Sequence, residues 1–268
     1  MRLVSFDALR VLGFPNTVIM KPGSVARELD QILAADWLLF PEYWQVNGLV
    51  FGLKKQIFPS LPTYLIGHNK IEMTRAFELV VPKNTPHTLI LANTPSEAEH
   101  AWDTMTLPFV AKLPRSCMGE GVWLIDNWDD WRDYLGRTDV IYVQEYLPID
   151  RDLRIVWVGD RVLTAYWRMQ SSNGFHNNIA RGGRVGSGLI PPAALALVEH
   201  FARTTGIDHA GFDVAMVGGH PYLIEFNRIF GNQGLDNDAL RTVVIEYLMR
   251  SHQPGDPDAP VPVLPTAV

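Results

Sequence analysis

The feature that most limits the fold is a change of pattern near residue 150. Before it, short apolar runs alternate with helix-like stretches; after it, apolar runs come in pairs joined by tight turns. Strand-like runs at 3–6, 37–40, 63–66, 89–92, 109–113, 122–125 and 141–145 are separated by helical patterns. These helices are expected at 24–36, 47–57, 69–79, 95–105 and 128–135. In the first third of the chain such alternation predicts a small α/β layer with a parallel sheet. From Asp152 the pattern becomes hairpins: 153–158 turns at Gly159-Asp160 into 161–168, and 211–217 returns through Gly218-Gly219-His220 into 221–227. A helix at 192–206 ended by glycine lies between them, and another at 237–250 follows. The proline-rich tail has no periodicity and is expected to be disordered.

The chain has 268 residues, enough for one large domain or several small ones, and 47% hydrophobic residues with 19% charged, an ordinary globular balance. The net charge of −6 argues against a non-specific nucleic-acid binder. No apolar run approaches membrane-spanning length, and a single cysteine, Cys117, allows no internal disulfide. The expectation is a cytoplasmic protein that binds neither nucleic acid nor membrane. The eight histidines form no zinc pattern.

Asp213, Glu225 and Asn227 are the leading candidate site. Glu225 and Asn227, two apart on a strand, share one face. A three-residue loop over 218–220 pairs Val217 with Pro221 and sets Asp213 opposite Glu225; a two-residue loop puts them on opposite faces. Three oxygen donors on one face suit Mg²⁺, although the wet side of any antiparallel hairpin has similar residues. Lys112 leaves a strand before Gly119 and Gly121, a loop whose N–H groups could cover phosphate oxygens, or simply a turn. Gln144, Glu145 and Tyr146 end a strand whose backbone could meet an adenine edge, or form an ordinary buried edge. Arg154, Arg168 and Arg181, with Asn178, could converge on an anionic cleft.

Taken in order, Asn69-Lys70, Phe109-Val110-Ala111-Lys112, Gly119-x-Gly121-Val122, Val143-Gln144-Glu145-Tyr146, Asp152-Leu153-Arg154, Asn178-x-x-Arg181-Gly182-Gly183, Gly211-Phe212-Asp213 and Glu225-Phe226-Asn227 resemble the ATP-grasp superfamily, in its RimK-like glutamate-ligase and glutathione-synthetase-like branch. The resemblance implies an α+β fold in which two subdomains, at 69–140 and 141–252, grip ATP. A short α/β domain at 1–68 precedes them, and a tail at 253–268 follows. It implies that Lys70 and Lys112 contact ATP phosphates under a lid at 115–121, that Glu145 and Tyr146 flank adenine, and that Asp152 meets the ribose. Asp213, Glu225 and Asn227 would hold two Mg²⁺ ions, with Mn²⁺ as an alternative. Arg154, Arg168, Asn178 and Arg181 would face the γ-phosphate and an acyl phosphate.

The implied activity is ligation of a carboxylate to an amine on an amino acid, peptide or protein terminus. A small-molecule kinase and a non-catalytic nucleotide-binding module are the alternatives, and a homo-oligomer is compatible with either. Three departures bear on the substrate: a short region before Lys70, Arg228-Ile229-Phe230 where the family has Ser/Thr-Pro-Gly, and His176 where RimK-type ligases have arginine.

Overall fold

The computed structural model describes residues 1–115, 121–169, 184–186, 188–231 and 235–252. Its first segment is the predicted parallel layer. Strands β1 (Leu3–Ser5), β2 (Thr17–Ile19), β3 (Trp37–Leu39) and β4 (Ile57–Phe58) run parallel in the order β2-β1-β3-β4. Between them lie α1 (Leu29–Ala34) and α2 (Tyr43–Asn47), the latter running on into a π-helical turn at Gly48–Gly52.

The strand expected at 63–66 is instead the end of a helix, α3 (Leu61–Ile66). Its Tyr-Leu-Ile run favours strand locally, but Ser60 caps the helix by accepting from the Thr63 N–H, and Pro62 sits in the first turn where its missing N–H costs nothing.

The second segment begins with α4 (Lys70–Val80), capped by the Asn69 side chain, which accepts from Ile71 and Glu72 N–H. Then come β5 (Thr88–Ala92), α5 (Pro95–Thr104), β6 (Phe109–Lys112), β7 (Val122–Ile125), α6 (Trp128–Leu135) and β8 (Val140–Glu145). These strands make an antiparallel sheet ordered β5-β8-β6-β7. The sequence reading gives residues 141–145 to the following segment, but β8 hydrogen-bonds to β5 and β6. Its residues 141–144 are buried, as a strand paired on both edges requires. We therefore propose that the subdomain division falls after β8, at about residues 146–150.

The third segment is an antiparallel sheet ordered β11-β10-β9-β12-β13. Its strands are β9 (Arg151–Val158), β10 (Arg161–Met169), β11 (Arg184–Gly186), β12 (His209–Val217) and β13 (His220–Asn227). One face, through Leu153, Ile155, Trp157, Phe212, Val214, Leu223 and Phe226, packs on α7 (Pro192–Thr205) and α4. At one end of the other face, Val156 and Val158 pack with Val244 and Leu248 of α8 (Asn237–Ser251) and with Leu3, Trp37, Leu39 and Phe58 of the parallel layer. The rest of that face carries the charged residues.

The parallel layer is fixed to this sheet by Asp208, which is buried and accepts from Ser60 N–H at 2.7 Å and the Thr63 hydroxyl at 3.3 Å. Burial raises its pKa to about 7 against the pull of those hydrogen bonds. The neighbouring His209 ring stacks on Phe230 and meets Phe40 and Phe58 edge-on. Burial drives its pKa to about 3, so it packs there as a neutral ring.

Candidate active site

Four adjacent strands, β10, β9, β12 and β13, align the site. In the sheet register Tyr166 lies opposite Arg154, Arg154 opposite Asp213, and Asp213 opposite Glu225. Asp152 lies opposite Arg168 one pleat along, and Asn227 opposite Gly211. Residues two apart on a strand share a face and directly opposed residues share it too. All of these side chains therefore stand on one surface.

The hairpin reaches this register by a route the sequence does not reveal. Val217 pairs with His220, so the turn has two residues, Gly218 and Gly219, both at positive φ as a mirror-image turn requires. Continued regularly, this pairing would put Glu225 opposite Phe212. A bulge intervenes: Val214 pairs with Leu223 but Asp213 with Glu225, leaving Ile224 as the extra residue. The expected three-residue loop is thus corrected, and Asp213 still faces Glu225 because the bulge shifts the strand by one.

Asp213 is buried between two guanidinium groups. Arg168 Nη2 lies 3.0 Å from Oδ2, and Arg154 Nη2 donates to the same oxygen at 3.3 Å. Arg154 Nε sits 2.7 Å from Oδ1 but is poorly aligned, leaving Oδ1 without a hydrogen bond among the described residues. Arg168 also binds both oxygens of Asp152, from Nε at 2.7 Å and Nη2 at 2.6 Å. Burial raises the Asp152 pKa to about 6, with Arg168 pulling the other way. A Cβ at Gly211 would lie 2.7 Å from Arg154 Nη1, so a larger residue here would displace that guanidinium.

Lysines border the other side. Lys70 Nζ lies 3.5 Å from Glu225 Oε2. Lys70 starts α4, the end where the helix dipole disfavours a cation, and Glu225 offsets that. Burial works against ionised Glu225, but Lys70 and then Lys112 hold its pKa below the usual glutamate range. The Asn227 amide N–H donates to Glu225 Oε1 at 3.4 Å. Lys112, 7% exposed, donates to Gln144 Oε1 at 2.7 Å. Gln144 is oriented in turn by its donation to the Thr88 hydroxyl at 2.9 Å. Desolvation lowers the Lys112 pKa to about 8, with Glu225 opposing.

Lys70, Lys112, Arg154, Arg168, Asp152, Asp213, Glu225 and Asn227 are thus brought into one network. Glu145 stands apart from it, accepting from the His87 N–H at 2.7 Å. Tyr146 is half-buried beyond the end of β8, and Gly121 accepts from the Leu113 N–H at 2.8 Å. Gly119, Asn178 and Arg181 lie outside the described residues, as do His176, most of the expected lid and the tail. Sequence reasoning missed Thr88 and the Gln144–Lys112 pair. Gln144 and Lys112 lie 32 positions apart on different strands, and nothing in their spacing signals the pair.

Among the described residues no three His, Cys, Asp or Glu side chains gather as a ready-made cation site. The proposed trio has two carboxylates and one amide, hard oxygen donors on one face. Asp213 Oδ1 is offset only by the misaligned Arg154 Nε and has no hydrogen bond among the described residues, which leaves a lone pair that a Mg²⁺ ion would satisfy. The residues fit the ion.

Residues 73–247 match the RimK-like ATP-grasp domain. The chain belongs to the RimK-like ATP-grasp family. It is 26% identical over 191 residues to a probable alpha-L-glutamate ligase of Legionella pneumophila strain Corby, covering 67% of this chain and 63% of that protein. It is 29% identical over 153 residues to a ribosomal protein bS6–L-glutamate ligase of Escherichia coli O139:H28, covering 54% of this chain and 51% of that one. The chain thus spans less than two thirds of the curated relatives it matches.

Among solved structures, D-alanine–D-alanine ligase from Bacillus anthracis aligns with a TM-score of 0.72 at 12% identity, covering 94% of this chain and 98% of that one. A RimK domain protein ATP-grasp from Sphaerobacter thermophilus aligns at 0.68 and 14%, covering 93% and 100%. These likenesses show the ATP-grasp fold. No described helix is long and apolar enough to cross a membrane.

Proposed function

We propose that this chain is an ATP-dependent ligase that activates a carboxylate as an acyl phosphate and joins it to an amine. The observation that carries this reading is the row Arg154–Asp213–Glu225, with Arg168 on one side and Lys70 and Lys112 on the other. Four cations against three carboxylates leave a cationic surplus that suits a polyphosphate. The cations are held by named partners before any ligand arrives, which is the preorganisation phosphoryl transfer relies on. The RimK-like relatives named as glutamate ligases support the acceptor chemistry.

In this reading Lys112 and Lys70 hold phosphate oxygens, and Gln144 keeps Lys112 aimed. Asp213, Glu225 and Asn227 would hold Mg²⁺, which supplies charge neutralisation at the phosphate oxygens. Arg154 and Arg168, fixed by Asp213 and Asp152, steady the charge that develops as the γ-phosphoryl group moves to the carboxylate. Asp152, expected at the ribose, is buried with both oxygens bound to Arg168, and its proposed role is instead to position that arginine. Arg181 and Asn178 are proposed to join them at the acyl phosphate, and Glu145 and Tyr146 to border the adenine.

The test is ADP release against paired acids and amines, with hydroxylamine added to trap an acyl phosphate as hydroxamate. Hydroxamate formation is expected. A stable phosphorylated hydroxyl product would instead establish a kinase, and ATP binding without turnover across the panel would leave a nucleotide-binding module.

A further inference from the structure

Asn227 ends β13, the edge strand of its sheet, and the segment that follows, Arg228-Ile229-Phe230, has none of the residues that fix a turn by themselves. Its conformation therefore depends on contacts from elsewhere in the chain. The Arg228 carbonyl accepts from the His209 ring at 2.9 Å. That ring is neutral, so its proton sits on Nδ1 for this bond. The buried Phe230 ring stacks on the same imidazole at 4.7 Å. It also lies over Gly211, where an added Cβ would come within 3.1 Å of the Phe230 Cβ, and Gly211 is the residue paired with Asn227.

The other contacts come from the parallel layer, beside the ends of β1 and β3. The Arg228 guanidinium lies 4.7 Å over the ring of Tyr64, in α3, and donates to its hydroxyl. That hydroxyl donates in turn to the Pro41 carbonyl at 2.6 Å. Tyr64 is buried in the core of the parallel layer, and burial raises its pKa, which keeps the hydroxyl protonated and both bonds in place. At the C-terminal end of α3, Gly67 abuts the Phe226 ring: a Cβ there would lie 2.9 Å from Cε2. The Phe226 N–H, on the outer edge of the sheet, donates to Met73 Sδ at 3.2 Å. The residues immediately before and after Asn227 are thus both held by α3, whereas the Asn227 amide makes a long bond of 3.4 Å to Glu225.

We propose that α3 braces Asn227, and that Arg228, clasped between Tyr64 and His209, is the positioning residue through which the parallel layer sets the affinity of the site for its divalent cation. This rests on the reading of Asn227 as a ligand of that cation. An oxygen donor whose two neighbours are already fixed loses little freedom when the ion arrives, and contacts that orient a ligand strengthen the metal site as a whole. Lysine is no substitute for Arg228 here. Its ammonium lacks the planar group that lies on a ring while an N–H reaches the hydroxyl.

The experiment is Mn²⁺ binding to the full chain with ADP present, read from the electron paramagnetic resonance signal of free Mn²⁺. Y64F removes one hydroxyl and leaves the charged face untouched, while R228K keeps the charge beside Asn227. Each should weaken Mn²⁺ binding by roughly tenfold. The Y64F/R228K double variant should bind no more weakly than the worse single, because both break one clasp. ADP affinity without Mn²⁺ should stay unchanged, and a parallel loss there would show general loosening and overturn the proposal. R228K carries the test alone if Y64F does not fold. N227A is the reference. Unchanged Mn²⁺ binding in N227A would sink the metal reading of Asn227, and the brace with it. Weakened binding in N227A, with Y64F and R228K within about twofold of wild type or their losses adding in the double variant, would sink the brace alone.

Discussion

Replacing Lys112 by methionine keeps the length of the side chain and removes a buried charge. The pKa of Lys112 falls from 10.5 to about 8 on folding. At about 1.4 kcal/mol for each tenfold change in proton affinity, the folded protein bears a cost of ~3 kcal/mol at neutral pH. Leaving Gln144 Oε1 without its donor returns ~2 kcal/mol of that. The Lys112→Met variant should then be more stable than wild type by ~1 kcal/mol at pH 7. The sign depends on pH. A group with a depressed pKa destabilises fully below its folded value, and the cost is relieved as pH rises from about 8 towards 10.5. The advantage of the variant should therefore shrink through that window and reverse by its upper end. Urea denaturation at pH 7, 9 and 10.5 measures this, and a nucleotide titration should show ATP affinity sharply reduced. A variant clearly less stable than wild type at pH 7, or one with unchanged ATP affinity, would refute the reasoning. Unchanged ATP affinity would mean that nucleotide binding owes nothing to this buried charge.

Three further outcomes are expected. Glu225→Gln should lower ADP release by about a hundredfold or more while leaving the thermal midpoint within a few degrees, because the Glu225 side chain is 30% exposed and its amide analogue can still hydrogen-bond; near wild-type turnover would remove it from the site. Arg168→Met leaves Asp152 and Asp213 buried with one guanidinium between them, and should cost about 3–5 kcal/mol in chemical denaturation; a loss under about 1 kcal/mol would show that the pair is not desolvated as described. Asp208 has a raised pKa, so its contribution is fullest below the unfolded value of 3.8 and fades as pH rises through about 7. Asp208→Asn should flatten the fall in stability over that window, and a variant whose stability tracks wild type from pH 4 to 8 would contradict this.

Much of this arrangement could be read from the chain before the fold was seen, where a local rule acts alone. Asn69 and Asn127 cap helices that start where their spacing predicts. The two-residue side-chain period placed Glu225 and Asn227 together. What escaped depends on competition or on distance. The Tyr-Leu-Ile run at 64–66 reads as strand until Ser60 and Pro62 are weighed as a helix start. The bulge at Ile224 follows from the neighbouring strands, since β12 must satisfy both β9 and β13, and no residue type announces it. The ion pairs Asp152–Arg168 and Lys70–Glu225 join residues 16 and 155 positions apart, which spacing cannot foresee. Arg228 stood out only as a departure from a motif. Its place beside the ends of β1 and β3 becomes visible once the strand order is known.

The bulge at Ile224 also separates two jobs that hairpins usually combine. In a regular hairpin the turn sets the phase of everything behind it. Here the phase at Glu225 is reset after the turn, and Asp213 is held by its pairing with Arg154 on the far strand. A Cβ at Gly218 or Gly219 would meet nothing within 4 Å. Just behind the turn, the His220 ring and Pro221 carbonyl are tied to Asn84. The tip is therefore a natural port: a peptide tag or fluorophore spliced between the two glycines would ride on the sheet without being heard at its charged face.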